Sequence, residues 1–180
     1  MIPAIQLAEG LVLRPTTSQD APALAAAHRR NRSHLQPWEP LRDESFYTEV
    51  GQRALLRQQV RDREEGRSLP LALFDAEVVI GQVTLSGITH GAFESAAVGY
   101  WIDGRYQGRG IMTSALRAVI EVARAVLGLH RIEAQTLPEN LGSQRVLGKL
   151  GFERIGCAPR YIRIAGQWRD HEMFQLILHD

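Results

Sequence analysis

The sequence predicts a mixed α/β fold with α+β character, in which helices pack against one sheet. Short segments rich in β-branched and aromatic residues alternate with longer segments whose apolar residues recur every three or four positions. The chain of 180 residues contains no internal repeat, low-complexity tract or linker. One domain over residues 1–180 is therefore expected.

The first 65 residues are predicted to hold one strand and two helices. The strand Leu11–Pro15 ends at a proline. Thr17 or Ser18 is suited to cap a helix from about Asp20 to Arg30. A second helix is expected from Phe46 to about Glu65.

The segment between these helices contains Pro37 and Pro40, with Trp38 between them. Two prolines so close together forbid a continuous helix and predict an ordered loop. Trp38 is large for a solvated loop, so its side chain is expected to pack on the core, with the lining of a cleft as the alternative.

Strands and helices are expected to alternate through the rest of the chain. A two-residue turn, Ala76 and Glu77, joins Leu71–Asp75 and Val78–Ile88 in a predicted hairpin. The later elements are a strand Ala96–Asp103, a helix from Ile111 to about Leu127, a strand His130–Thr136, a helix from about Asn140 to Leu150, a short strand over 152–157 and a last strand Glu172–Leu178.

Composition and charge argue against several classes of protein. The net charge of +1 gives no indication of a nucleic-acid partner. Cys157 is the single cysteine, which excludes an internal disulfide framework and favours a cytoplasmic location. The sequence has no metal-ligand spacing, no signal-like N-terminal segment and no apolar run that could span a membrane, so neither a metal nor a membrane is expected.

Gly108, Arg109 and Gly110 stand directly before a predicted helix, and this position favours an anion site. Glycine permits sharp turns and close approach of a ligand, while the first N–H groups of a helix lack internal partners and lie at its positive end. A tight turn without a ligand would explain the same residues equally well.

Two common phosphate loops do not fit this stretch. No Gly-Lys-Ser/Thr is present, and Thr113 stands where a dinucleotide fingerprint requires a third glycine. A P-loop triphosphatase and a nicotinamide dehydrogenase are therefore not expected. Gln107-x-x-Gly110-x-Met112 instead resembles the acyl-CoA pyrophosphate loop of the GNAT superfamily of N-acyltransferases, [QR]-x-x-G-x-[GA].

Three further motifs extend the resemblance over most of the chain. PENLGSQRVLGKLGF resembles the second GNAT signature, an asparagine followed by a helix that ends in Leu-Gly-Phe. PWEPLRDES (Pro37–Ser45) and GQWRDHEMF (Gly166–Phe174) resemble the RimJ/RimL-type branch, which acetylates N-terminal alanine or serine of ribosomal proteins, and the match is closer to RimJ. Met112 departs from the usual Gly or Ala and is interpreted as a marker of this branch.

The resemblance implies the GNAT fold, a central, mostly antiparallel, twisted sheet of about seven strands, splayed in the middle and flanked by about four helices. Acetyl-CoA is then expected between the strand ending at Ile102 and the strand from His130, with its pyrophosphate on the loop amides and without a metal. The cofactor-binding residues implied are Tyr100, Trp101, Ile102, Gln107, Gly108, Arg109, Gly110, Ile111, Met112, Thr113, Asn140 and Ser143.

Some of these side chains have simpler explanations. Arg109, like Arg105, is equally explained as exposed surface charge, and Asn140 is explained by helix capping alone.

The reaction implied is attack by a neutral amine on a thioester. Glu133 is predicted as the base, by similarity to a glutamate in the corresponding strand of a related N-terminal acetyltransferase family, and a solvent-facing carboxylate is the equal alternative. A tyrosine seven residues after the asparagine often acts as the acid in the superfamily, but Leu147 occupies that position here. Ser143 matches a serine proposed as the acid in the RimL-like branch and is the predicted acid.

The acceptor is less well defined than the donor. The leading prediction is a cytoplasmic enzyme that acetylates a protein N-terminus, such as that of a ribosomal protein. A small amine acceptor (antibiotic, polyamine or amino acid), a CoA-binding module without turnover and a homodimer stay open. Four residues of the closing segment either border the acceptor cleft or serve packing and turns: Tyr161, Trp168, Asp170 and His171.

Overall fold

A computed structural model describes residues 2–180 as one open eight-stranded sheet with five helices. The strands are β1 (Ile5–Ala8), β2 (Leu11–Pro15), β3 (Ser68–Asp75), β4 (Val78–Thr89), β5 (Ser95–Ile102), β6 (Arg131–Thr136), β7 (Glu153–Ile164) and β8 (Gln167–Ile177). The helices are α1 (Ala21–Arg30), α2 (Arg32–Leu35), α3 (Glu49–Glu64), α4 (Ile111–Ala125) and α5 (Leu141–Lys149).

The sheet has the order β1-β2-β3-β4-β5-β6-β8-β7, and all neighbours are antiparallel except β5 and β6. These two parallel strands pair only over Ser95–Ala97 and Arg131–Glu133. Beyond Ala97 they separate, which opens the middle of the sheet. The mixed, mostly antiparallel sheet with a splay at its centre is thus confirmed.

The structure has one strand and one helix more than expected, because two short elements carry weak sequence signals. The four residues of β1 form a strand only through pairing with β2. The four residues of α2 form little more than a single helical turn, and a 3₁₀ turn, Gln36–Trp38, follows it where an ordered loop was expected.

Helices cover both faces of the sheet. Along β3, Leu71 and Leu73 belong to the larger core, which includes residues of α4 and α5. Ala72 and Phe74 point to the opposite face, where they meet residues of α1 and α3. The opening between β5 and β6 therefore lies between two packed helical layers.

Several element boundaries differ from the sequence prediction for local reasons. Helix α3 begins at Glu49 rather than Phe46, since the Thr48 hydroxyl accepts a hydrogen bond from the Gly51 N–H at 3.1 Å and caps the helix there. The predicted Ala76-Glu77 hairpin turn is confirmed, because Asp75 pairs with Val78.

Strands β7 and β8 form a hairpin that is longer than expected. The sequence suggested strands only at 152–157 and from Glu172, but β7 extends to Ile164 and β8 begins at Gln167. At the hairpin tip, the Ala165 N–H donates to the carbonyl oxygen of Glu39 at 3.1 Å. The hairpin is thereby joined to the proline-containing segment beside Trp38.

Candidate active site

The separated strands β5 and β6 and the N-terminal ends of α4 and α5 surround a cleft of about 590 Å³. All of the predicted cofactor residues except Arg109 line this cleft. The full lining is His34, Leu35, Trp38, Tyr100, Trp101, Ile102, Tyr106, Gln107, Gly108, Gly110, Ile111, Met112, Thr113, Glu139, Asn140, Leu141, Gly142, Ser143, Arg145, Val146 and Lys149.

The loop before α4 has a backbone that only glycine adopts readily at two positions. Gly108 and Gly110 have φ angles of 73° and 75°, in the left-handed region. Gly110 is the N-cap of α4, so the unpartnered N–H groups of the first helical turn follow it directly. A Cβ built at Gly110 would have no other protein atom within 4 Å. Strain in the backbone, rather than crowding by protein atoms, therefore selects glycine, and the loop fits a diphosphate.

Asp103 anchors the start of this loop. Its carboxylate is 1% exposed and accepts hydrogen bonds from Arg30 Nε at 2.7 Å, Asn31 Nδ2 at 3.0 Å and the Arg105 N–H at 2.9 Å. Burial alone would raise the pKa of Asp103, but the hydrogen bonds from Arg105, Arg30 and Asn31 outweigh it and hold that pKa far below its usual range. Arg105 is thus a partner of Asp103 rather than an isolated surface charge.

The N-terminal turn of α5 brings three predicted site residues together. The Asn140 side chain accepts from the Ser143 N–H at 3.1 Å and caps the helix. The Ser143 Oγ lies 2.7 Å from the Tyr100 hydroxyl. Burial raises the pKa of Tyr100 to about 12, although the hydrogen bond with Ser143 opposes the shift. Leu147 is fully buried in the core, so this helix position presents no hydroxyl to the cleft.

The position of the Met112 side chain explains why a methionine is tolerated at this point of the loop. Only 5% of its surface is exposed, and it belongs to the large core beneath the cleft. Because the side chain points into the core, the main-chain amide of position 112 stays with the loop. A larger residue than Gly or Ala is therefore compatible with the phosphate cradle.

Glu133 and Arg109 lie outside this constellation, and their predicted roles stay predictions. Glu133 is at the last paired position of β6 beside β5, and its carboxylate lies 3.4 Å from Arg131 Nε. It is absent from the described lining of the cleft. Arg109 extends over the ring of Tyr106, with its guanidinium carbon 5.2 Å from the ring centre.

The expected packing of Trp38 in the core is wrong. The residue is 38% exposed and lines the cleft, because the 3₁₀ turn over Gln36–Trp38 holds it at the edge of the opening. Core packing on this side is supplied instead by His28, whose ring centre lies 5.0 Å from that of Trp101 and 4.6 Å from that of Phe46. Burial lowers the pKa of His28 to about 4, so this imidazole is neutral at neutral pH.

The four residues singled out in the closing segment are not among the described residues that line the cleft. Asp170 accepts from the Arg160 N–H at 2.8 Å, which is a structural contact within the hairpin. His171 is buried beside Tyr161, and Trp168 is exposed. Packing and turn formation account for these contacts.

Nine of the lining residues were not singled out from the sequence, and five of them have polar side chains: His34, Tyr106, Glu139, Arg145 and Lys149. His34 Nε2 lies 3.3 Å from both the Ile102 carbonyl oxygen and the Gln107 side-chain nitrogen, so α2 contacts the loop. Arg145 and Lys149 are four residues apart on α5. The helical spacing Ser143, Val146, Lys149 could have revealed this face of α5.

The chain matches a known family over most of its length. A family model described as Acetyltransferase (GNAT) domain matches residues 10–153. The chain belongs to the GNAT acetyltransferase family. It is 37% identical to the [Ribosomal protein uS5]-alanine N-acetyltransferase of Escherichia coli (strain K12), over 99% of this chain and 94% of that relative. GNAT membership makes the protein an acetyl-CoA-dependent N-acetyltransferase.

Solved structures agree with this membership. The ribosomal-protein-S5-alanine acetyltransferase of Vibrio fischeri has a TM-score of 0.95 and 36% identity, covering 99% of this GNAT chain and 98% of the other. RimJ of Mycobacterium smegmatis, in complex with CoA-disulfide, has a TM-score of 0.89 and 34% identity, and the match covers 93% of this chain and 81% of that chain.

The described part of this GNAT chain has neither of two features, a metal-binding cluster and a helix that could span a membrane. Residues 2–180 hold no group of three or more His, Cys, Asp or Glu side chains placed to bind a metal ion. Over the same residues, no helix is long and apolar enough to cross a membrane.

Proposed function

We propose that this enzyme acetylates the N-terminal α-amine of a protein, in particular of a ribosomal protein whose first residue is alanine or serine. The full-length similarity to ribosomal-protein alanine acetyltransferases supports the acceptor class. The observation that carries the choice of amine is the scarcity of carboxylates in the cleft. Its one carboxylate among the described lining residues is Glu139.

Glu139 is poorly suited to take a proton from a lysine ammonium. The pKa of Glu139 is lowered, first by its own backbone N–H and then by its ion pair with Arg169, against an opposing effect of burial. An α-amine with a pKa of about 7.8 is about 14% neutral at pH 7, whereas a lysine with a pKa of about 10.4 is about 0.04% neutral. The α-amine therefore needs little help from a base.

Incubation with labelled acetyl-CoA tests this assignment. One peptide has a free N-terminal alanine and no lysine, and its partner has the same sequence with a blocked N-terminus and one lysine. We expect kcat/KM at pH 7 to be about 300-fold higher for the free α-amine, from the difference in neutral fraction. Tandem mass spectrometry locates the acetyl group.

The pH dependence supplies an independent check of the same proposal. The rate with the alanine peptide should rise as the α-amine loses its proton and level off above about pH 8. Equal rates with the lysine peptide, or turnover only with small amines such as polyamines, would contradict the proposed acceptor. CoA binding without turnover of any amine would contradict catalysis.

We also propose that Arg145 and Lys149 bind the 3′-phosphate of CoA. Both line the cleft one helical turn apart, and neither forms an ion pair with a carboxylate within residues 2–180. The amides after Gly110 fit the pyrophosphate, which leaves the third phosphate as the anion for these two cations.

Replacing both Arg145 and Lys149 with alanine should raise the KM for acetyl-CoA about tenfold, since two charged hydrogen bonds are lost. The KM for acetyl-3′-dephospho-CoA should not change, because that donor lacks the phosphate. Arg57→Ala with Arg61→Ala is the matched control, since these exposed arginines have the same spacing on α3. Equal increases in KM for both donors would argue against a 3′-phosphate site.

A further inference from the structure

The side chain of Tyr100 forms a hydrogen bond with Ser143 that cofactor binding by the Tyr100 backbone does not explain. Its hydroxyl lies 2.7 Å from Ser143 Oγ and 3.3 Å from the Ser143 carbonyl oxygen. Tyr100 pairs with Val83 of β4, three residues beyond Ala97, where β5 has already separated from β6. Its phenol therefore crosses the opening of the sheet and meets the first turn of α5.

The surroundings of Tyr100 fix the ring in this position. The residue is half-buried and packs against the large core. On the other side of the contact, Asn140 holds the Ser143 N–H at 3.1 Å, so the serine backbone is also fixed. Tyr100 and Ser143 both line the cleft.

The direction of the hydrogen bond follows from the acidity of the two groups. A phenol is a much stronger acid than an aliphatic alcohol, so Tyr100 is the better donor and Ser143 Oγ the better acceptor. Burial keeps the phenol protonated, since it raises the pKa of Tyr100 to about 12. The Ser143 hydrogen is then directed away from Tyr100, and its O–H becomes a stronger donor because Oγ already accepts a hydrogen bond.

We infer that Tyr100 is a positioning residue for the leaving group, which orients the Ser143 hydroxyl toward the thioester sulfur. This inference rests on the proposed function, because it concerns the same acetyl transfer. In that step, the C–N bond to the acceptor forms and the C–S bond breaks, with its electron pair remaining on sulfur. The Ser143 O–H hydrogen-bonds to the sulfur, the departing thiolate takes up one proton, and the attacking nitrogen, positively charged after C–N bond formation, loses one, so protons balance.

This arrangement replaces the tyrosine that the superfamily often carries four residues beyond Ser143, about one helical turn further along α5. Leu147 occupies that place and is buried. A phenol reaches the cleft here from β5 instead of α5, and it acts through the serine. Tyr100 on β5 thus takes the place of a tyrosine on α5, so the cleft retains an oriented hydroxyl although position 147 is a leucine.

Kinetics of Tyr100→Phe, Ser143→Ala and the double variant test the inference. Phenylalanine keeps the ring and its packing, and thermal unfolding verifies that each variant is folded. We expect Tyr100→Phe to lower kcat about tenfold while the KM for acetyl-CoA stays within about twofold, because one hydrogen bond to a reacting group is lost. Ser143→Ala should lower kcat at least as much, and the double variant should be no slower than Ser143→Ala alone.

Tyr47→Phe serves as the control, since Tyr47 is a buried tyrosine outside the cleft and should leave kcat unchanged. Wild-type kcat in Tyr100→Phe would overturn the inference. So would a loss that multiplies with that of Ser143→Ala, because Tyr100 would then act independently of Ser143. Failure of the proposed function appears differently, as the absence of acetylated peptide with the wild-type enzyme.

Discussion

Asp103→Asn is expected to lower the free energy of unfolding by about 3 kcal/mol at neutral pH, the cost of breaking a buried charge pair. The asparagine leaves the Arg30 guanidinium without its anionic partner at 2.7 Å, and only 27% of the surface of that side chain is exposed. It also releases the anchor of the Gly108–Gly110 loop, so the KM for acetyl-CoA should rise several-fold with it. Urea unfolding measures the first effect, and initial rates measure the second.

The pH dependence of this effect has a definite sign. The folded-state pKa of Asp103 is lowered, so its contribution to stability is complete above the unfolded pKa of about 4 and is lost as the pH falls toward the folded value. The difference between wild type and Asp103→Asn should therefore shrink in acid. Asp62→Asn is the control, because Asp62 also accepts from an arginine, Arg67, but on the surface. Equal urea midpoints for the two variants would contradict the anchoring role.

Gly110→Val should weaken acetyl-CoA binding much more than it weakens the fold. A β-branched residue at a φ of 75° costs of order 1–2 kcal/mol. Relief of that strain rotates the amides that follow Gly110, and the new methyl groups enter space that no protein atom occupies. We expect the KM for acetyl-CoA, or the Kd of CoA in calorimetry, to rise about tenfold or more.

The control for this change is Gly66→Val. Gly66 has a φ of 72° and likewise has no protein atom within 4 Å of a Cβ, but it lies beyond the end of α3, away from the cleft. The two variants carry matched backbone strain, so they should lose similar stability, and only Gly110→Val should lose affinity for CoA. Unchanged affinity in Gly110→Val would refute a diphosphate cradle built from these amides.

The sequence was most informative where local chemistry decides the structure. The glycines at 108 and 110 require left-handed backbone, and Asn140 caps a helix, so both could be predicted from residue type alone. Apolar spacing located α4, whose buried residues include Ala115, Leu116 and Val119. The splayed sheet was predicted from the family motifs, because the spacing of apolar residues does not specify it.

The remaining features depend on contacts between distant parts of the chain. The direction of Trp38 is set by a 3₁₀ turn and by the hairpin tip near Ala165, more than a hundred residues away. The hydroxyl pair of Tyr100 and Ser143 joins a strand to a helix through tertiary packing. Glu133 is a further example. Its strand was predicted from the sequence, but the ion pair of its carboxylate with Arg131 was not.

A ligand bound between β5 and β6 would stabilise the fold as well as take part in the reaction. The protein itself connects the two halves of its sheet by three residue pairs along this seam. Binding that occurs only in the native state adds RT ln(1 + [L]/Kd) to stability. The resistance of the enzyme to unfolding should consequently rise with the concentration of its acyl donor.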